Sequence, residues 1–294
     1  MPSSLGSFED TFGAMLTGAF IAMTIYGITT LQAYFYYMSF PNDDTATKLM
    51  VLAIWILDTV HSILMCHCIH YYLISGFLDN TKLVNGTWSL FLSPVANVLL
   101  ALISQSFFTR RIFLLCSLRW RYWVAGIISV TVVAHFVTGI NTAVHLFQKK
   151  EFSQLKEVSL SAVVPFGAST ILSDILVAAS LCFLLDNNRS QFDDTNSVIN
   201  RLIIFAINRC ILTTAVAVVE TIVFAVLPNT FYSFAIDFVI GKLYANSLLA
   251  VLNARANLRG LPRREHFVTT EMSTRFDVEQ QTSSSEPVRD NKTL

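Results

Sequence analysis

Six charged side chains stand inside long apolar runs of this chain: Asp58, Asp174, Arg209, Glu220, Asp237 and Lys242. A charge in such surroundings is costly, and it is kept where it pairs, carries ions or protons, or meets a ligand. A buried lysine can also hold a carbonyl cofactor as a Schiff base. The stretch "IDFVIGKLYANSLLAVLNARANLRG", Ile236 to Gly260, raises that question because it holds both Asp237 and Lys242. Retinal-binding bundles set the counter-ion four residues before the lysine, on one helix face. Here the separation is five residues, about 140° of helix, so the two groups project from different sides and the geometry fails. The run "CHCIH" at 66–70 would spread its ligands around most of a helix and cannot converge on one metal ion. No nucleophile elbow, zinc-peptidase motif or phosphate-binding glycine loop occurs. The expectation is a non-enzymatic protein with no cofactor and no metal.

The elements that must position these charges are membrane helices. Of 294 residues, 53% are hydrophobic and 14% charged, against roughly 25% charged in a soluble domain. The net charge is zero, which leaves no concentrated basic face for a nucleic acid. Seven stretches are long and apolar enough to span a bilayer, because about 20 residues in a helix satisfy their own backbone across the hydrocarbon. They run approximately Phe12 to Met38, Lys48 to Leu73, Trp88 to Phe108, Tyr122 to Leu146, Leu160 to Leu185, Val198 to Leu227 and Phe231 to Leu252. Between them lie turn-forming segments such as "FPNDD", "LDNTKLVNGT", "QKKEFSQLKE" and "DNNRSQFDDTN". The expected fold is an all-α, seven-transmembrane helix bundle in a multi-pass membrane protein, the particular membrane being open.

Basic residues orient it. Lys48, Arg110, Arg111, Arg119 and Arg121 fall on one side, with Arg189, Arg201, Arg255, Arg259, Arg263 and Arg264. The other side has Lys82, Lys149, Lys150 and Lys156. Eleven against four places the N-terminus outside and the C-terminus in the cytoplasm by the positive-inside rule. Residues 1–11 then form a short outer segment, 12–260 the bundle and 261–294 a disordered cytoplasmic tail. Asn85, in Asn85-Gly86-Thr87, is an outer candidate for glycosylation. Inner basic loops and tail offer a surface to a cytoplasmic signalling partner and to anionic lipid.

Counting depth from the inner surface, and reversing direction in alternate helices, sorts the polar residues into two layers. Asp58, Asp174, Arg209 and Lys242 each lie about 10 residues from an inner end, roughly 15 Å deep. His61, one turn from Asp58, and Asn246, one turn from Lys242, join this inner layer, which is read as structural or as part of an ion pathway. Nearer the outside lie Glu220, Asp237, Asn141, His145 and His70, the candidate ligand or ion site. Arg209 and Glu220 are eleven residues apart, three turns to within about 20°, so they share a face of the sixth span with Thr213 between them.

The motifs "ILDTVHS" at 56–62, "QSFFTRRIF" at 105–113, "SDILVAASLCFLL" at 173–185, "SVINRLIIFAINRCILT" at 197–213 and "GKLYANSLLAVLNARANLRG" at 241–260 stand in order along the chain. Together they resemble a family of fungal, mainly basidiomycete, seven-span membrane proteins whose last three helices form a domain of unknown function, here approximately 165–260. The resemblance implies the span count, orientation and membrane residence. It carries no ligand, substrate or catalytic residue. Asp58, His61, Asp174, Lys242, Tyr244 and Asn246 fit its pattern, whereas Arg209 and Glu220 do not. The functional expectation is a receptor-like or sensory seven-helix protein of unknown ligand. A transporter or channel using the polar layers is the alternative, and a structural or lipid-organising role the third.

Overall fold

The computed structural model describes residues 7–77, 79–154, 159–187, 193–227 and 230–255. Contacts divide the chain after Asn253. The expected disordered tail, 261–294, and most of the segment before residue 12 lie outside the described residues. The first unit is helical, with α1 Ala14–Ser39, α2 Thr45–His70, a short α3 Asn80–Val84, α4 Trp88–Leu115, α5 Arg121–Gln148, α6 Val164–Asn187, α7 Asp193–Val226 and α8 Tyr232–Asn253. Wider π-helical turns lead into α1 and α6 and extend α2 to Ser75. No strand occurs among the described residues, whose one β-bridge pairs Asn85 with Glu151.

Six of these helices are long and apolar enough to cross a membrane: Glu9–Ser39, Thr45–Ser75, Trp88–Leu115, Arg121–Gln148, Ser161–Leu184 and Tyr232–Asn253. In α7 the described apolar part is Cys210–Val226. The helices extend past the spans expected from sequence. The fourth element begins at Trp88 as anticipated but continues to Leu115, carrying Arg110 and Arg111 as helical residues. The expected loop at 78–87 contains α3, because Asp79 accepts from the backbone N–H groups of Lys82 and Leu83 and starts a turn of helix.

Neighbouring helices pack in the order α1, α2, α4, α5, α6, α7, α8 and back to α1. Two helices fill the middle, since α4 also packs on α6 and α8, and α8 on α2. The outward surface is apolar: Phe20, Leu31 and Phe35 on α1, Ile63 on α2, and Val130 and Val137 on α5 are all exposed. A bilayer covers such a surface at no cost, whereas water would not. Trp88, Trp120 and Trp123 are exposed at helix ends, where an amphipathic ring suits the interface. Small residues set the closest approach. Gly18 of α1 lies against α8 so tightly that a Cβ there would come within 2.5 Å of the Ala235 carbonyl oxygen.

Aromatic packing closes one end. Phe12, Tyr72, Phe152 and Phe231 stack on one another with centroids 4.4 to 6.1 Å apart. Tyr72 donates to the Asn85 carbonyl at 2.9 Å and accepts from the Thr87 N–H at 2.7 Å, pinning the α3–α4 connection to α2. Asn85 itself is exposed.

Candidate functional site

The polar interior is built around α4. Ser89, Ser93, Asn97, Ala101 and Gln105 recur every fourth residue, and all are buried. A four-residue step advances about 40° beyond a full turn, so this stripe winds around the helix and meets different neighbours as it descends. Ser89 meets His67 of α2 at 2.8 Å, and Ser93 meets His61 of α2 at 2.8 Å. Ser93 also donates to Asp237 Oδ2 of α8 at 3.2 Å. Asn97 donates to Asp237 Oδ1 at 2.9 Å and to the Asp237 carbonyl at 2.7 Å. Gln105 reaches α6, donating to Ser173 at 2.8 Å and to Asp174 Oδ1 at 3.0 Å, while its Oε1 lies 3.1 Å from His135 Nδ1 of α5.

Three buried acids therefore have three different environments. Asp58 is paired with Lys242, Nζ to Oδ1 at 2.7 Å, and neither side chain is exposed at all. Lys242 also donates to the Asp58 carbonyl at 2.9 Å and to Ser62 at 2.6 Å, and its ammonium lies 5.1 Å from the centre of the Tyr26 ring. The ammonium thus makes two hydrogen bonds and an ion pair, and the aromatic face adds a cation–π contact. Asp174 accepts from Gln105, from Thr213 at 2.7 Å and from Tyr244 at 2.7 Å. Asp237 is held by Ser93 and Asn97.

Glu220 of α7 and Asp237 of α8 face a common cavity of about 30 Å³, also lined by Asn97, His135, Thr170, Thr221 and Tyr244 and closed by apolar residues including Val98, Phe166 and Ile240. That volume holds about two waters. The cavity lies where the Asp237 and Asp174 networks meet, since Tyr244 and His135 belong to the second and Asn97 to the first.

The expected layers are realised in part. Asp58 and Lys242 meet directly, and Asp174 joins Tyr244, but Asn246 turns away and accepts from Gln32 of α1 at 2.8 Å. His61 is buried against Ser93 and faces the Asp237 network instead of completing an inner layer with Asp174. The Arg209 side chain lies outside the described residues; Thr213, on the face assigned to it, is buried and bonds Asp174. Of the outer layer, Glu220 and Asp237 converge. Asn141 and His70 are exposed, His145 is half-buried, and none of the three lines the cavity. A histidine does line it, but it is His135, ten residues from His145 in the same helix. Ser93, Asn97 and His135 were not anticipated from sequence, although the four-residue polar spacing along α4 marks the first two. Among the described residues no three His, Cys, Asp or Glu side chains form a metal-holding group.

Removing one donor tests the Asp174 network. Tyr244→Phe is expected to lower stability by about 1–2 kcal/mol, the range for a hydrogen bond to a buried carboxylate inside a membrane bundle. Unfolding in mixed detergent micelles measures it, and an unchanged midpoint would count against the bond.

An all-helical, apolar chain with six helices of spanning length and a polar interior is a multi-pass membrane protein, its outer surface in contact with lipid. Residues 170–257 match DUF6534, a family of unknown function. That segment holds the end of the sequence carrying Asp174, Glu220, Asp237, Lys242 and Tyr244. No curated protein and no solved structure matches the chain.

Proposed function

We propose that this is a receptor-like, sensory membrane protein of seven spanning helices, with its N-terminus outside and its C-terminus in the cytoplasm. The observation that carries the reading is the interior: side chains from five helices are cross-linked by hydrogen bonds around a cavity with room for about two waters. Such an interior couples helix positions to one another and suits a bundle that shifts between packings when a ligand binds. The seventh span is α7, whose 34 residues reach about 51 Å, well beyond the ~30 Å hydrocarbon core. Arg110 and Arg111 near the end of α4, Arg119 and Arg121 around its connection to α5, and the arginines after α8 support the orientation and offer the surface for a cytoplasmic partner.

Purified protein in liposomes distinguishes the alternatives. The receptor-like reading expects no sodium, potassium or proton flux above that of protein-free vesicles. It also expects a small-molecule screen to find ligands that alter hydrogen exchange in the α4–α5 connection. Flux abolished by Asp237→Asn or Glu220→Gln would replace it with the transporter reading.

A further inference from the structure

The protons of the groups lining the α4–α8 cavity point away from it. Thr170 donates to the Phe166 carbonyl at 2.9 Å and Thr221 to the Ala217 carbonyl at 2.7 Å. The Tyr244 hydroxyl donates to Asp174 Oδ2. The Asn97 amide donates to Asp237, and its Oδ1 has no hydrogen-bond partner. Among the described residues Thr170, Thr221 and Asn97 therefore have only lone pairs left to offer.

His135 completes the pattern. It is 3% exposed. Gln105 uses its amide nitrogen on Ser173 and Asp174, so the Gln105 oxygen is the acceptor and His135 Nδ1 must carry the proton. The other nitrogen, Nε2, makes no hydrogen bond among the described residues and, in the neutral ring, has a lone pair to offer to the cavity that His135 lines. Asp174, anchored on α6, thus dictates through Gln105 which face of the histidine is basic.

Two carboxyl groups share this space. Asp237 has Ser93 and Asn97 on its two oxygens, and Glu220 has no hydrogen-bond partner among the described residues. No lysine or arginine is among the described lining residues. Lys242 is committed to Asp58. Water can satisfy the lone pairs but cannot offset two negative charges, so the carboxyls either hold a proton or take up a cation, because an uncompensated charge in a bundle interior costs several kcal/mol. A small cation satisfies both requirements. Room for one ion and one water, with two carboxylates and no third acidic or histidine ligand converging on them among the described residues, suits a single charge better than a divalent ion.

We propose that this cavity binds one monovalent cation between Glu220 and Asp237, a sodium ion or in its place a proton held on one of the two carboxylates, with His135 Nε2 accepting from the accompanying water. The site does not depend on the receptor-like reading: binding without flux leaves both standing, and flux removes only the receptor.

The test uses the full chain in nanodiscs of zwitterionic lipid, with thermal unfolding and equilibrium binding of radioactive sodium. In the sodium arm, NaCl replaces choline chloride at constant ionic strength and pH 8. The unfolding midpoint is expected to rise and saturate, with one ion bound per chain and at least about tenfold weaker binding in Glu220→Gln and Asp237→Asn, a loss of about 1.4 kcal/mol. In the proton arm, acidification from pH 8 to 5.5 in choline raises the midpoint, sodium adds nothing, and the rise is lost in the same variants.

Other titratable groups packed around the site are His135 on α5, Asp174 on α6, and His61 on α2 through Ser93. A response retained unchanged in both carboxyl variants therefore belongs to these and overturns the proposal. So does a wild type indifferent to sodium, potassium and acid. Glu9→Gln, an exposed carboxyl outside the cavity, is the control and keeps the wild-type response. Variants are compared only where circular dichroism and a monodisperse elution show a folded protein, and His135→Gln supplies a further neutral change in the lining, expected to weaken binding severalfold.

Discussion

Lys242→Ala, with Asp58 intact, is expected to be among the most destabilising single substitutions in the bundle, by about 3–5 kcal/mol. The reason is what it leaves behind. Asp58 is fully buried, its ion pair with Lys242 is at 2.7 Å, and its Oδ2 has no hydrogen bond among the described residues. Without the ammonium, a carboxylate stays in the interior with no compensating charge, and Ser62 loses its second partner. Replacing both groups by neutral ones, Asp58→Asn with Lys242→Met, removes the stranded charge and keeps similar volume. The double variant is therefore expected to be more stable than Lys242→Ala alone, by a couple of kcal/mol. Reversible unfolding in bicelles reads both. If the single variant were the milder of the two, the pair would not be what holds α2 to α8.

That Asp58 and Lys242 share a depth was readable before the structure because depth along a spanning helix follows from residue count, but the sequence did not say which acid of that layer the lysine would meet. Rotation about the helix axis was not readable in the same way. In a soluble protein the polar face of a helix marks the side in water. Here the lipid-facing side is as apolar as the packed side, so Asn97 and Asn141 look alike in the sequence. Asn97 turns inward and holds Asp237; Asn141 is exposed. The same ambiguity separates His135 from His145. Only the closing of the ring, with α4 and α8 in its middle, decides which polar residues share a space. Thr213, between Arg209 and Glu220 on the face argued from their spacing, is buried and bonds Asp174.

The acids also differ in what they lock. Lys242 and Asp58 join α8 to α2, whereas Asp174 joins α6 to α4, α7 and α8. Asp237 ties α8 to α4 and, through Ser93, to α2. All three networks therefore pass through α8, the helix that also has Glu220 of α7 across the cavity from it. Further along α8, Asn246 and Asn253 hold Gln32 of α1 at 2.8 Å each, so the helix that lines the cavity with Asp237 and Tyr244 is also fixed to α1.

Gly241→Ala should damage the site most directly without touching a polar residue. The space where its Cβ would stand is already filled by the Asn97 side-chain oxygen. Alanine therefore forces Asn97 to rotate or α4 and α8 to part. Rotation breaks the bonds from the Asn97 amide to the Asp237 carboxylate and carbonyl; separation opens the packing on both sides. Overpacking alone costs about 1–3 kcal/mol, and loss of a hydrogen bond to a buried charged group adds about 1.5–3. The expected total is about 2–4 kcal/mol, because relief of one relaxes the other. Pairing it with Asn97→Ala separates the two parts. The double variant regains the packing component, so its unfolding midpoint rises above that of Gly241→Ala, but Asp237 Oδ1 still lacks its donor and cation binding stays weakened. A Gly241→Ala protein with wild-type stability and wild-type cation response would mean that α4 and α8 do not approach closely enough for Asn97 to hold Asp237.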